Sequence, residues 1–267
     1  MNVLIIGAGN MGTTYAEGFL KAHLIQPSQL FFLDKSERKA EQLHHYSSNP
    51  LHTYPSAFIR NMDLVILAVK PQDFSGLATN LEPHIRENQV VLSIMAGVSM
   101  KQIAKSLGTK KVVRAMPNLP AQIGMGMTVF TTSSKVSKGE LLNIQNLLNT
   151  TGKTLYVGNE MMIDAATAIS GSGPGYVFYL MDAMMEVGRR MGFSDSEAQL
   201  LVTQTFLGSV HLLQRDELTC NDWVQKVASR GGTTEAALVS FETNELSQSL
   251  EDGLSAAFER ARELSEM

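Results

Sequence analysis

Two glycine-bearing stretches carry most of the chemistry available to this chain. Gly7-Ala8-Gly9-Asn10-Met11-Gly12 fits the spacing G-x-G-x-x-G, directly after an apolar run and directly before an amphipathic one. At that spacing the first glycine permits a tight turn, the second lets backbone approach a pyrophosphate, and the third lets helix and strand pack closely. The helix start then offers unpaired N–H groups to phosphate. Gly7, Ala8, Gly9, Asn10 and Met11 are therefore expected at a dinucleotide site. Asp34 ends the second apolar run, where an acid would meet the adenosine ribose. Its carboxylate accepts from a 2′-hydroxyl and repels a 2′-phosphate, which favours NAD(H). Lys35, Ser36 and Arg38 pull towards NADP(H), because they can surround a phosphate. The same cluster also reads as a solvated helix start, and the choice of cofactor stays open on these residues alone.

The second stretch is Ser229-Arg230-Gly231-Gly232-Thr233-Thr234, ahead of a helical run. Two glycines followed by two threonines expose backbone N–H groups at a helix N-terminus, a receptor for a small carboxylate. The alternative is an ordinary loop in which Thr233 caps the helix. Three further stretches lie at the ends of apolar runs, where ligands of open α/β sheets bind. They are Ala68-Val69-Lys70-Pro71, Ser93 to Gly97 with Ala96 within it, and Arg114-Ala115-Met116-Pro117-Asn118. Pro71 is expected to fix the chain as it leaves the sheet.

Elements that would position these residues follow from periodicity. Short apolar runs at Val3–Ile6, Leu30–Leu33, Leu64–Ala68, Val90–Ile94, Val112–Met116, Met127–Thr131 and Thr154–Val157 predict strands, several apolar throughout as in a sheet covered on both faces. Amphipathic stretches at Asn10–Ala22, Glu37–Tyr46 and Ser99–Leu107 predict helices between them, and Ser137 with Glu140 forms a capping box for a helix towards Leu148. After Gly158 the strand pattern stops. Helices are expected over Met161–Ile169, Tyr176–Met191, Ser194–Gln214, Asp222–Ala228, Glu235–Phe241 and Gln248–Leu264, with Ser170 to Gly175 interrupting the first two. The Tyr176–Met191 helix has polar residues too few to face water, so a second subunit is expected to cover part of it. This gives an α/β domain over residues 1–158 and an all-α domain over 159–267.

Composition narrows the function classes. The chain has 267 residues, a formal net charge of -4 and a single cysteine, Cys220. A slightly acidic chain has no electrostatic reason to seek nucleic acid or anionic lipid. No apolar run approaches the ~20 residues of a membrane helix, and the first residues lack the basic flank of a signal peptide. One cysteine excludes an intrachain disulfide and fits a reducing cytoplasm. His23, His44, His45, His52, His84 and His211 do not stand at metal-ligand spacing, so no metal site is expected.

Taken together, Gly7–Gly12, Ala68–Pro71, Arg114–Asn118, Ser170-Gly171-Ser172-Gly173-Pro174 and Gly231-Gly232-Thr233-Thr234 resemble the pyrroline-5-carboxylate reductase family, in the family's order and from the first strand to the last helix. The resemblance implies a Rossmann-type N-terminal domain, a helical C-terminal domain that dimerises, and reduction of L-1-pyrroline-5-carboxylate to L-proline. It favours NADP(H), with NAD(H) as the alternative. It implies that the backbone of Gly231 to Thr234 holds the substrate carboxylate, that Thr234 approaches the ring nitrogen, and that Ser172 lies beside the substrate. Three positions depart from the family pattern: Arg230 replaces a proline, Gly175 replaces an alanine, and Glu217 to Trp223 replaces a His-Pro-Gly stretch. These departures keep open a reductase of another cyclic imine carboxylate. A β-hydroxyacid dehydrogenase would need a lysine in the helical half, where Lys226 is the only one after Lys153. A cofactor-binding protein without turnover is the remaining alternative.

Overall fold

A computed structural model describes residues 1–266 and divides into two compact units. One comprises Met1–Pro174 together with the segment from Ala256 onward; the other is Gly175–Ser255. The first unit is built on a seven-stranded sheet of order β2-β1-β3-β4-β5-β6-β7. Its elements run β1 (Val3–Ile6), α1 (Asn10–Lys21), β2 (Leu30–Leu33), α2 (Ala40–Leu43), β3 (Leu64–Leu67), α3 (Pro71–Leu81), β4 (Val90–Ser93), α4 (Met100–Leu107), β5 (Val112–Met116), β6 (Gly126–Thr132), α5 (Lys138–Leu148), β7 (Gly152–Tyr156) and α6 (Met161–Ala166). All seven expected strands are present, each within two residues of its expected ends.

The unbroken apolar runs have a simple cause: alternate residues of one strand feed opposite cores. Val3, Ile5, Leu64, Ile66 and Leu92 pack with Tyr15, Phe19, Ile144 and Leu148 of α1 and α5. Leu4, Ile6, Val65, Leu67 and Val91 pack on the other face with Phe74, Leu81, Ile103 and Leu107 of α3 and α4. Both faces are covered, as a parallel sheet requires.

Four details differ from the sequence reading. β6 runs antiparallel to β5, pairing Ala115 with Phe130. Residues 117–125 supply only a 3-10 turn over Leu119–Ile123, too short for the crossover that a parallel neighbour needs. The helix expected over Glu37–Tyr46 is a 3-10 turn, Glu37–Lys39, followed by a single α-helical turn at Ala40–Leu43. Pro71 does more than fix the exit from β3; it is the first residue of α3, the position where its missing N–H has no helical partner to lose. Finally, Ser170 to Gly175 does not break the chain out of helix. After α6 the path widens into a π-helical stretch over Thr167–Gly171, where the Ser172 N–H donates to the Thr167 carbonyl at 2.8 Å. The next helix, α7 (Gly173–Arg190), starts at once.

The helical part continues with α8 (Asp195–Arg215), α9 (Cys220–Val227), α10 (Thr233–Thr243) and α11 (Leu246–Glu266). The expected Ser137/Glu140 capping box forms, and Ser194 with Glu197 and Thr219 with Asp222 close two more. Within Gly175–Ser255 almost nothing is buried. Only Ala198 and Val202 are core residues there, whereas Phe178, Tyr179, Met191, Leu200, Val227 and Phe241 are each at least half exposed or nearly so. Apolar helices left in this state mark an interaction surface.

Among the described residues the largest fully buried side chain is Arg114, on the α3/α4 face of β5. Its guanidinium donates to Glu160 Oε1 at 3.2 Å, to Asp164 Oδ1 at 2.7 Å and to Ser265 Oγ at 3.1 Å. Ser265 donates in turn to Asp164 at 2.8 Å, and Glu160 Oε1 also accepts the Met100 N–H that opens α4. One cation therefore joins β5, α4, α6 and the end of α11. Breaking such a buried set by removing one partner costs about 3–5 kcal/mol, because the remaining charges stay desolvated. Arg114→Met is expected to lower unfolding stability by about that amount in urea titrations at fixed protein concentration; a loss below about 1 kcal/mol would show the network to be a spectator.

Candidate functional site

The carboxyl ends of β1, β2 and β3 meet at the point where successive strands depart to opposite sides of β1, the crevice where open α/β sheets bind ligands. A cleft of about 500 Å³ opens there, and Gly7, Gly9, Asp34, Lys35, Ala68, Val69 and Lys70 line it. Backbone hydrogen bonds tie the three strand ends together. Gly7 N–H donates to the Leu33 carbonyl and Ala68 N–H to the Ile6 carbonyl, both at 2.8 Å. Gly7 has φ +97°, and a β-carbon there would lie 2.7 Å from the Ala68 carbonyl oxygen. A β-carbon at Gly12 would collide with the Gly7 carbonyl oxygen. Gly9 differs: it is extended, and a β-carbon on it would meet no protein atom within 4 Å.

These facts fit the dinucleotide reading. Gly7 and Gly12 are small because protein backbone lies against them. Gly9 is small beside open space, as expected where the chain must admit a ligand closely. α1 has no side-chain cap, so its first N–H groups are free to meet an anion.

Asp34 holds the loop in shape. Its Oδ2 accepts the Ala8 N–H at 2.8 Å and the Lys39 ammonium at 2.7 Å, and Oδ1 accepts the Ser36 N–H at 3.0 Å. Burial pushes its pKa up, but the bonds from Lys39, Ser36 and Ala8 outweigh that and hold the carboxyl below the ordinary aspartate range. The stability it contributes is thus complete above the unfolded value near ~4 and is lost only as pH falls through the lower folded value.

Other expected residues sit elsewhere. Ala8, Asn10, Met11, Pro71 and Ala96 are not among the lining residues; Ala8 enters through its amide, Asn10 and Met11 open α1, and Ala96 stands in the loop after β4. Arg38 is exposed and outside the lining, and Lys39 takes the place expected for it. Thr53, Tyr54, Pro55, Asp73 and Asn80 also line the cleft, with the Tyr54 hydroxyl donating to Asn80 Oδ1 at 2.8 Å. The sequence gives no periodic signal for 53–55, which form a loop held by the Asp34 N–H to His52 carbonyl bond.

The other motifs divide between the units. Ser172 is exposed at the end of the π-helical stretch. That stretch is fixed to β6 by Asn118, which donates to the Ser170 carbonyl at 3.0 Å and accepts the Met127 N–H at 2.9 Å. Arg114–Asn118 is therefore not cofactor-loop chemistry as a block: Arg114 is a buried tie and Asn118 a brace. In the helical unit, Gly231 has φ +73° and Gly232 is the N-cap of α10, so Thr233 is not the cap but the first helical residue. The Gly231 amide donates to the Glu235 carboxylate at 2.6 Å and the Gly232 amide to the Ser229 carbonyl at 2.9 Å. This leaves the Thr233 and Thr234 amides, in the first turn of α10, without intrahelical acceptors. Thr234 also lines an apolar hollow of about 410 Å³ with Cys220, Trp223, Val227 and Leu238. Arg230 is exposed. Among the described residues, no group of three or more His, Cys, Asp or Glu is placed to hold a metal.

Fold and cleft together define a dinucleotide-binding protein of the Rossmann class. Residues 2–97 match the family model described as NADP oxidoreductase coenzyme F420-dependent, and residues 160–264 match that described as pyrroline-5-carboxylate reductase dimerisation. Pyrroline-5-carboxylate reductase of Pseudomonas aeruginosa is 34% identical over 99% of this chain and 97% of its own length. Pyrroline-5-carboxylate reductase 2 of Bacillus subtilis is 31% identical over 98% and 94%. Among solved structures, the Coxiella burnetii pyrroline-5-carboxylate reductase superimposes with TM-score 0.90 at 31% identity, covering 100% of this chain and 99% of that one. The Plasmodium falciparum pyrroline carboxylate reductase, solved with NADP bound, gives 0.89 at 25% identity over 99% and 98%. The chain belongs to the pyrroline-5-carboxylate reductase family.

The two glycine types give separable outcomes. Gly7→Ala is expected to cost about 2 kcal/mol or more of stability, because it forces a side chain into a left-handed position against backbone. Gly9→Ala is expected to stay within about 0.5 kcal/mol of the parent while weakening NADPH binding at least about tenfold. Thermal unfolding and fluorescence titration of each variant measure the two effects; equal stability losses would refute the distinction.

Proposed function

We propose that this protein reduces L-1-pyrroline-5-carboxylate to L-proline, with NADPH as the favoured reductant and NADH as an alternative. The observation that carries this reading is the uncapped start of α1 beside Gly9, in a cleft at the ends of β1–β3. Family membership supplies the substrate class. Gly7, Ala8, Gly9, Asn10, Met11, Asp34, Lys35, Ala68, Val69, Lys70, Pro71 and Ala96 are proposed as the cofactor set, with the 1–158 segment as the dinucleotide-binding domain. The 159–267 segment is proposed to bind substrate and to dimerise.

When bound, the reduced nicotinamide supplies the hydride. The chain's own work is placement, since a protonated cyclic imine already accepts hydride readily and orientation can provide much of the rate. The Gly231–Thr234 turn receives the substrate carboxylate, with the Thr233 and Thr234 amides as the donors left over by the loop's own bonds. The Thr234 hydroxyl hydrogen-bonds the ring nitrogen as it becomes an amine, and Ser172 contacts the substrate. No histidine or paired carboxylate is required for these steps.

The exposed apolar helices of Gly175–Ser255 support a homodimer, or a larger assembly of dimers, as the working form. No helix among the described residues is long and apolar enough to cross a membrane; a cytoplasmic location is proposed on the single cysteine. The acidic composition gives no support to a nucleic-acid or membrane partner.

Purified protein is expected to oxidise NADPH when given pyrroline-5-carboxylate, and Thr234→Ala to slow turnover about 10–1000-fold in a folded variant. Oxidation only with pyrroline-2-carboxylate or piperideine carboxylates would transfer the reading to another cyclic imine, and an unchanged Thr234→Ala rate would remove that hydroxyl from the reaction. In sedimentation experiments a dimer or a multiple of it is expected; a stable monomer would contradict the role given to the helical unit.

A further inference from the structure

The cleft at the ends of β1–β3 contains an acid that should disfavour NADP(H), on a chain whose family relatives include one solved with NADP bound. The surroundings of that acid resolve the conflict. The Asp34 side chain is only 8% exposed and its Oδ2 lies 2.7 Å from the Lys39 ammonium. A carboxylate has about four lone-pair sites, and the Ala8 amide, the Ser36 amide and Lys39 already fill three. Little capacity remains for ribose hydroxyls, and the charge that would repel a phosphate faces a cation at contact distance.

The other basic groups are placed differently. Lys35 is 84% exposed and stands 3.5 Å from Asp73, a pairing that solvent weakens. Lys39 is 34% exposed, lines the cleft, and is held in place by Asp34. An ammonium carries three donors, so two remain after Asp34 has taken one.

We propose that Lys39 sets the choice between the two nicotinamide dinucleotides: it masks the Asp34 carboxylate and offers its remaining donors to the 2′-phosphate of NADP(H). The assignment rests on the reductase reading above. Under it, Asp34 is first a structural ligand of the glycine loop and an anchor for Lys39, and only second a ribose acceptor.

The test is direct binding, by fluorescence titration or calorimetry of the full chain with NADPH and NADH and no imine present. Lys39→Gln is expected to weaken NADPH binding about 10–100-fold more than NADH binding, the usual size of a lost charge-assisted bond. Lys39→Arg should keep most of the NADPH-to-NADH ratio. An unmoved ratio in Lys39→Gln, whether through equal losses or none, overturns the assignment. Should Lys39→Gln fail to fold, an unmoved ratio in Lys39→Met overturns it instead. Binding of neither dinucleotide to the unmodified protein would sink the reductase reading itself, whereas both binding with an unmoved ratio sinks only the role of Lys39.

Discussion

The glycine loop has its shape because Asp34 is ionised and bonded to the Ala8 amide. Without that contact, the Gly7 N–H to the Leu33 carbonyl would be the remaining hydrogen bond from residues 7–9 to the end of β2. With it, the end of β2 dictates where the N–H groups of α1 point. The cleft therefore inherits its geometry from a carboxylate on a neighbouring strand. This is why the local sequence around Gly7 is not sufficient to build it. The carboxylate keeps its charge despite burial because three donors surround it, which is the general condition for a buried ion to persist.

A second buried ion does the corresponding work on the far side of the sheet. Arg114 draws Glu160, Asp164 and Ser265 together, and through Glu160 it orders the start of α4. Gly97 is part of the same closure: its β-carbon position lies 2.5 Å from Leu264 Cβ, so α11 approaches the loop after β4 as closely as a glycine allows. The sheet unit is thus completed by residues from the other end of the chain. The polar ties specify which segment closes the unit, and the apolar layers supply most of its stability.

Much of the architecture was legible because it is repetitive and local. Strands buried on both faces appear as unbroken apolar runs, and caps such as Ser137–Glu140 and Ser194–Glu197 need only four residues to declare a helix start. The glycine spacing, with Asp34 at its distance, announced a dinucleotide fold for the same reason. What escaped was non-local or depended on an exact turn. The direction of β6 follows from the shortness of 117–125, which no strand propensity encodes. Lys39, at the end of a 3-10 turn over 37–39, reaches Asp34, while Arg38 is exposed. The Gly231 amide was expected to await a ligand, yet Glu235 four residues on already accepts it. Partners of Arg114 lie 46, 50 and 151 residues away, beyond the reach of any pattern rule.

That last separation has a kinetic meaning for the chain as it is made. Arg114 emerges from the ribosome with most of the sheet already behind it, but Ser265 follows 151 residues later. At roughly 5–20 residues per second, the interval is on the order of 8–30 s. For about the first third of it, until Glu160 and Asp164 follow, the guanidinium has no carboxylate partner, and throughout it the sheet lacks the helix that seals the loop after β4. The first unit is complete only once that late segment has docked.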